Sequence, residues 1–407
     1  MTDGFDRLRH RVEQELPAAV QLRHELHRKP RLSGDEAATR DTVLAALPSG
    51  TSARPVAGTG AVLRIGGTGS AVAVRAELDA LSVTEGTGLP WASEHPGVMH
   101  ACGHDVHLAA TVALARAVEA VGGPAPLVVV LQPREETYPS GALEISESGV
   151  LAEQQAGATV AAHVQPLLPT GTVACSPGPV NASSDEFTVT VAGRGGHAAY
   201  PHQTADPVVA LASVVVALQS MVSRGTDPMT PVVLSVTTLA AGSAPNVVPD
   251  EATARGTVRS LDPAAREVIL ERLAETVDLV SRAHGCTGRV EVTEGEPVLE
   301  NDAGIARAAA PLLRRLGAEV DDTLRSAGSD DFAYFSQAMP SLMMFVGTGG
   351  AGQRLHSATY APGDEYVGHV AGALLAGYLA AAEVVTGGAK KVPDSKHASA
   401  EGTGGRP

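Results

Sequence analysis

Four short segments of the chain carry the residue types from which a metal centre is built. In MHACGHDVH, Met99 to His107, Cys102 and His104 flank a glycine just before an apolar helical run. A thiolate and an imidazole at this spacing suit zinc or a similar divalent ion, although a helix-start cluster with no ligand role has the same pattern. In QPREET, Glu135 and Glu136 stand just past the apolar run Leu127 to Leu131, where α/β folds place their sites. Adjacent carboxylates there can divide the work, one binding a metal while the other moves a proton from an attacking water to a leaving group. A solvated pair on a loop is the plain alternative. His163 in AAHVQP ends another apolar run, and His356 in RLHSATY follows the glycine-rich GTGGAG. Either histidine alone reads as structural, whereas four segments able to converge on one rim of one sheet read as a metal site.

Cys102, His104, Glu136, His163 and His356 are too many donors for one tetrahedral zinc that keeps a position open for water. Two divalent ions, roughly 3.5 to 4 Å apart, accommodate them, and a water between such ions becomes a nucleophile at neutral pH. Cys102 as thiolate suits the bridging position, and metal coordination explains how it stays deprotonated without a dedicated base. His107, at the helix start, reads as a neighbour of the ligands rather than one of them.

The elements that must position these residues alternate along the chain. An amphipathic helix is expected over Phe5 to His27, and Ser33 with Glu36 reads as a capping box opening a helix to about Leu47. Ala61–Ile65, Ala71–Ala76, Leu127–Gln132 and Thr159–His163 have buried-strand character, with a helix over Val106–Val121 between the second and third. The alternation predicts an α/β sheet covered by helices. From Glu186 to Glu294 the order becomes strand, helix, strand, strand, helix, strand, the ferredoxin-like βαββαβ motif. Residues 181–295 are therefore expected to form a domain inserted into a larger one made of 1–180 and 296–386. The larger domain resumes with helix Ala303–Leu316, strand Leu342–Val346 and a buried apolar helix at about Val370 to Val385. Residues 387–407 lack apolar periodicity and read as a disordered tail.

Composition narrows the function. Against 45 Asp and Glu stand 30 Lys and Arg, and a net charge of −15 opposes the basic footprint that binds a phosphate backbone, so nucleic acid is excluded as a partner. The N-terminal residues mix both charge signs without the apolar core of a secretory signal, and no run is a clean bilayer span, so a cytoplasmic protein away from membranes is expected. Cys102, Cys175 and Cys286 are an odd, scattered set, which argues against a disulfide framework.

Over roughly residues 10 to 385 the chain resembles the di-metal amidohydrolase and peptidase family of hippurate hydrolases, N-acyl-amino-acid amidohydrolases and auxin-conjugate hydrolases. The resemblance runs in order through LRHELHRKP, VRAELDALS, MHACGHDVH, LQPREE, AHVQP, GRGGHAAYPHQTADP, AGSAPNVVPDEA, SDDFAYF and LHSATY. It implies a zinc-exopeptidase-like catalytic domain in which Cys102, His104, Glu136, His163 and His356 bind two ions, zinc, manganese, cobalt or nickel, and Glu135 is the general base and acid. It further implies a homodimer whose inserted domain is lid and subunit contact, with His197 directed at the scissile carbonyl as an oxyanion donor. Asn246 and Arg259 would contact the carboxylate of a small N-acyl amino acid. Asp79 would orient a ligand or donor from behind. The chain departs from the family pattern at Glu77, where Asp is usual, at Ser82 for Pro, at Arg134 in QPREE and at Asp330 in SDDF. Arg134 would depress the Glu135 pKa if it pointed inward. Three other functions compete: a metallo-exopeptidase acting on dipeptides, a thiol hydrolase using Cys102 and His104, and an inactive ligand-binding relative.

Overall fold

The computed structural model describes residues 2–48, 52–350 and 352–387, so the expected tail from 388 onward lies outside the described residues. Its centre is a mixed eight-stranded sheet in the order Arg54–Val56, Gly60–Ile65, Leu127–Gln132, Ala71–Glu77, Ala156–Gln165, Ser341–Gly347, Thr172–Ala174, Glu319–Asp321. The strands Leu127–Gln132, Ala71–Glu77, Ala156–Gln165 and Ser341–Gly347 run parallel to one another, so their carboxyl ends share one rim.

Strands Ala71–Glu77 and Leu127–Gln132 are buried along their whole length, which explains why they read as continuous apolar runs. Alternate side chains serve opposite faces. Val72, Val74 and Val129 pack with Leu108, Val112, Leu374 and Tyr378, from helices His104–Val121 and Glu365–Thr386. Ala73, Val128 and Val130 pack with Ala142, Ile145, Phe332 and Phe335 on the other face. Helix Thr2–Arg28 covers the first face as well, matching the amphipathic segment expected there.

The Ser33–Glu36 capping box does not form. The helix begins at Ala37 with no side-chain cap, because both side chains are drawn to other segments. Ser33 donates to Asp79 at 2.7 Å, while Glu36 accepts from Thr59 at 2.5 Å and from the Arg134 N–H at 2.9 Å.

A second, four-stranded antiparallel sheet has the order Val232–Ala241, Glu251–Ser260, Asp185–Ala192, Thr287–Glu294. Helices Pro207–Gly225 and Pro263–Ala283 pack on it through Leu211, Val214, Leu218, Ile269, Leu273 and Val277. Both start the same way, with an aspartate (Asp206, Asp262) accepting the first N–H groups and a proline in the first turn. The chain enters and leaves this unit along paired backbone, Ser183 N–H to Ser260 O and Ser184 N–H to Glu296 O at 2.8 and 2.9 Å. Pro207–Gly225 and Glu365–Thr386 are each long and apolar enough to cross a membrane by length and composition. Glu365–Thr386 buries most of its apolar length in the main core, and Pro207–Gly225 buries its inner stripe against the small sheet.

Candidate metal centre and its cavity

The shared rim gathers the four segments. Asp79 lies two residues past strand Ala71–Glu77, Glu135 and Glu136 lie just past Leu127–Gln132, and His163 pairs in register with Phe345 on the neighbouring strand. Cys102 and His104 arrive on the turn that opens helix His104–Val121. That turn needs Gly103: its φ is +85°, and a Cβ there would stand 2.5 Å from Val164 Cγ2. His356 also takes a positive φ, +63°, held by its N–H donating to Ala101 O at 2.9 Å, which ties its loop to the one carrying Cys102 and His104.

The hydrogen bonds decide which ring nitrogen each histidine presents. His104 Nδ1 donates to Asp79 O at 2.8 Å, leaving Nε2 as the free lone pair, 3.7 Å from Glu135 and 4.0 Å from Glu136. His163 Nδ1 donates to Val164 O at 2.6 Å, and its Nε2 faces Cys102 Sγ at 3.4 Å. His356 Nε2 lies 3.2 Å from Glu136 Oε1. His104 Nε2 is buried with no hydrogen-bond partner, and the buried Glu136 Oε1 faces the His356 ring. Buried polar atoms normally find partners, and a divalent ion is the partner that a Cys, His and carboxylate donor set fits. Glu77, His104, His107 and His163 also lie close enough to share an ion. His107 is spent, however: its Nε2 accepts the Val164 N–H and its Nδ1 donates to Glu77, both at 3.0 Å.

Electrostatics agree with this arrangement. Burial pushes the Cys102 thiol well up, and the Glu136 and Glu135 carboxylates push it further, so it has none of the activation a free thiol nucleophile needs. Burial holds His163 down at about 3, with His107 adding to it, so its imidazole is neutral as a ligand must be. Burial, then Glu136, Asp330 and Asp331, raise Glu135 well above the ordinary carboxylate range. Glu136 is lowered instead, because its contacts with His356 and His104 outweigh burial.

Beneath Glu135 lies a cluster centred on Arg75, a residue that the sequence did not bring forward. Arg75, fully buried in the middle of strand Ala71–Glu77, reaches Gln132 and Asp331 at 2.7 Å each, Asp330 at 3.6 Å, and pairs with Glu77. Gln132 and Ser140 both donate to Asp331, at 2.7 and 2.6 Å. The available signal was an arginine inside an otherwise apolar run, since a buried cation requires carboxylates around it. Glu77 is thereby accounted for: Arg75 and His107 outweigh its burial and hold its pKa well below the usual value. Asp79 binds Ser33 through Oδ2, and the same oxygen accepts the Glu136 N–H at 3.0 Å.

The donors open into a cavity of about 660 Å³ lined by Cys102, Glu135, Glu136, His163 and His356, together with Arg259, Arg354, Glu186 and Glu296 among others. Arg259 reaches Ser329 Oγ at 3.2 Å. His197 and Asn246 are brought together elsewhere. His197 ends the short exposed strand Gly196–His197 and Asn246 lies in the turn just before its partner strand Val247–Val248, with Ala198 N–H donating to Asn246 O, and neither lines this cavity. Arg134 points away from Glu135, toward Glu144 and Ala57 O. Ser82 is exposed.

The model of peptidase family M20/M25/M40 matches residues 73–381. The chain belongs to that family. An N-acetyl-L-cysteine deacetylase of Bacillus subtilis is 35% identical, with 81% of this chain and 80% of that protein covered. An N-acetyldiaminopimelate deacetylase of the same organism is 34% identical over 88% of this chain and 97% of its own length. The solved Bacillus subtilis YXEP protein, a dinuclear metal binding peptidase of the M20 family, superposes with a TM-score of 0.80 at 27% identity, covering 92% of this chain and 99% of that one. This M20 member is a hydrolase, a metal-dependent amidohydrolase as the resemblance implied, and its donor cluster together with the likeness to a dinuclear protein supports two divalent ions.

Proposed function

We propose that this hydrolase cleaves the amide of small N-acyl amino acids, N-acetyl derivatives first among them, at a centre held by Cys102, His104, Glu136, His163 and His356. The observation that carries this reading is the partnerless buried His104 Nε2, converging with Glu136 directly beside Glu135 in an open cavity. The relatives named for deacetylation of N-acetylcysteine and N-acetyldiaminopimelate support the substrate class. When bound, the two ions, drawn from zinc, manganese, cobalt and nickel, supply Lewis acidity at the carbonyl and acidify the attacking water. Glu135 takes the water's proton and returns it to the leaving nitrogen, a role suited to a carboxylate whose neighbours raise its proton affinity. Asp79 positions Glu136 through its backbone N–H and His104 through its own carbonyl. Arg259 binds the substrate carboxylate with a guanidinium fork.

His197 and Asn246 complete the site in this reading only after the small unit, residues 181–295, closes as a lid or a second copy supplies them. A homodimer built on that unit fits its exposed Val208, Val209 and Val216. Residence in the cytoplasm fits three free, buried cysteines. The test is hydrolysis by metal-reconstituted protein of N-acetyl, N-benzoyl and indole-acyl amino acids and of dipeptides, with wild type and Glu135→Gln. Turnover abolished by chelator and by Glu135→Gln, with metal retained in the variant, is the expected result. Unchanged turnover in Glu135→Gln overturns the mechanism, and turnover confined to dipeptides replaces it with an exopeptidase.

A further inference from the structure

The turn that carries Glu135 and Glu136 is held from behind by two buried carboxylates, both tied to one loop. Strand Leu127–Gln132 gives way to Pro133, and the next residue, Arg134, takes a positive φ of +52°, a left-handed backbone that residues with a Cβ rarely adopt. Glu135 and Glu136 follow directly, so the direction in which both side chains leave the backbone is set at Arg134. Such a conformation persists only where its surroundings hold it. Here alternate N–H groups of the turn are taken: Arg134 donates to Glu36 Oε1 at 2.9 Å and Glu136 to Asp79 Oδ2 at 3.0 Å. Asp79 accepts in turn from Ser33 Oγ at 2.7 Å, so Ser33 and Glu36, three residues apart, reach both ends of the same turn.

Glu36 is fully buried, and its second oxygen accepts from Thr59 Oγ1 at 2.5 Å. Thr59 lies in the tight turn between strands Arg54–Val56 and Gly60–Ile65, with its N–H on Ala57 O at 3.0 Å. That turn backs onto Pro133, since a Cβ at Gly60 would stand 2.7 Å from Pro133 Cδ and 2.8 Å from Leu131 O. On the other side a Cβ at Gly141 would stand 1.8 Å from Pro133 O, and the Gly141 N–H donates to Arg134 O at 3.2 Å. The backbone at Pro133 and Arg134 is thus enclosed, and Glu36 is the side chain that joins it to Thr59. Among the described residues no Lys, Arg or His forms an ion pair with Glu36. What it supplies is two acceptor oxygens at a fixed reach, and both are spent on these two bonds.

We propose that Glu36 is a positioning residue for the reaction: by accepting the Arg134 N–H it holds the left-handed residue that sets the direction of Glu135 and Glu136 together. This rests on the amidohydrolase reading for Glu135 and on the ligand role of Glu136. Glu36 itself touches neither substrate nor ion. Without it the turn relaxes toward ordinary backbone, which turns the acid/base carboxylate away from its proton path and loosens the hold of Glu136 on metal.

The test uses the full chain with Glu36→Gln, Glu36→Asp and Glu36→Ala. At saturating metal, kcat and KM are measured on the N-acyl amino acid that wild type turns over best, and the zinc dissociation constant is measured by competition with a chromophoric chelator. Glu36→Gln keeps the reach and an acceptor oxygen, so kcat and zinc affinity should stay within about threefold of wild type, below the usual cost of losing a residue that orients a ligand. Glu36→Asp keeps the charge but is one methylene short, and Glu36→Ala has no acceptor. Both should lose kcat by about 10- to 100-fold and bind zinc about tenfold more weakly, with KM within about threefold because Arg259 stands on another element. Both quantities are taken per folded protein, since a side chain serving stability alone would lower the folded fraction and move neither. A loss in Glu36→Gln equal to or larger than that in Glu36→Asp, or wild-type values in all three variants, overturns the proposal. If Glu36→Ala does not fold, the Gln and Asp variants decide by themselves. If wild type turns over no acyl amino acid, the amidohydrolase reading fails, and the zinc constants decide the role of Glu36 by the same order.

Discussion

The rim of the main sheet and the polar cluster just beneath it are both polar and largely buried, yet their hydrogen bonding differs. At the rim, His104 Nε2 is buried and left unpaired, and Glu136 Oε1 faces another candidate ligand, His356. Beneath it, Arg75, Glu77, Gln132, Ser140 and Asp331 are also buried, and each has its partner. A fully satisfied buried network rigidifies, whereas buried donor atoms facing one another without partners are prepared for a ligand from outside. The lower cluster thus serves as the rigid support that lets the upper one hold its atoms ready.

The sharpest way to break this comparison is to remove function above without touching the support below. Glu135→Gln is expected to lower turnover by about 10²- to 10⁴-fold. Metal content measured by plasma mass spectrometry should stay at the wild-type level, and loss of metal would mean that Glu135 is itself a ligand. His163→Ala should instead lose bound metal, most clearly in a competition titration with a chromophoric chelator. Next comes the support. Arg75→Met strands Glu77 and Asp331 without their cation, and about 3–5 kcal/mol of stability should be lost in urea unfolding. A change under about 1 kcal/mol would show that the network is not the support described.

Glu77 sharpens the comparison through pH. Its folded pKa is depressed, so its contribution is present above the unfolded value of about 4.3 and is lost as pH falls toward the folded value. Stability measured from pH 7 downward should therefore decline more steeply in wild type than in Glu77→Gln, and parallel curves would remove Glu77 from the account. The smallest effect is expected at Arg134, which stands beside Glu135 in sequence but bonds outward to Glu144. Arg134→Gln should leave kcat/KM within about twofold and stability within about 1 kcal/mol.

Legibility in the sequence followed the range of the interactions. Ala71–Ala76 and Leu127–Gln132 were readable as strands because both faces are buried, and the order of elements from Glu186 to Glu294 was readable from turn residues and apolar periodicity. The donor segments stood out because Cys, His and paired Glu beside strand ends are rare without a purpose. Ser33 and Glu36 misled, because a local pattern competes with partners distant in sequence: Asp79 for one, Thr59 and Arg134 for the other. Arg75 and Asp331, 256 residues apart, carry no mutual mark in the chain.

The sequence by itself determined the elements, the donor types and the likeness to a di-metal hydrolase family, since each depends on local periodicity and on short runs of fixed chemistry. Only the tertiary structure decided which nitrogen each histidine presents, that His107 and Glu77 are spent on each other, that Arg134 turns outward, and that Glu36 accepts the Arg134 N–H. Those outcomes depend on which side chains from separate strands are packed within hydrogen-bond reach, and packing distance is set by the assembled sheet rather than by any segment of it.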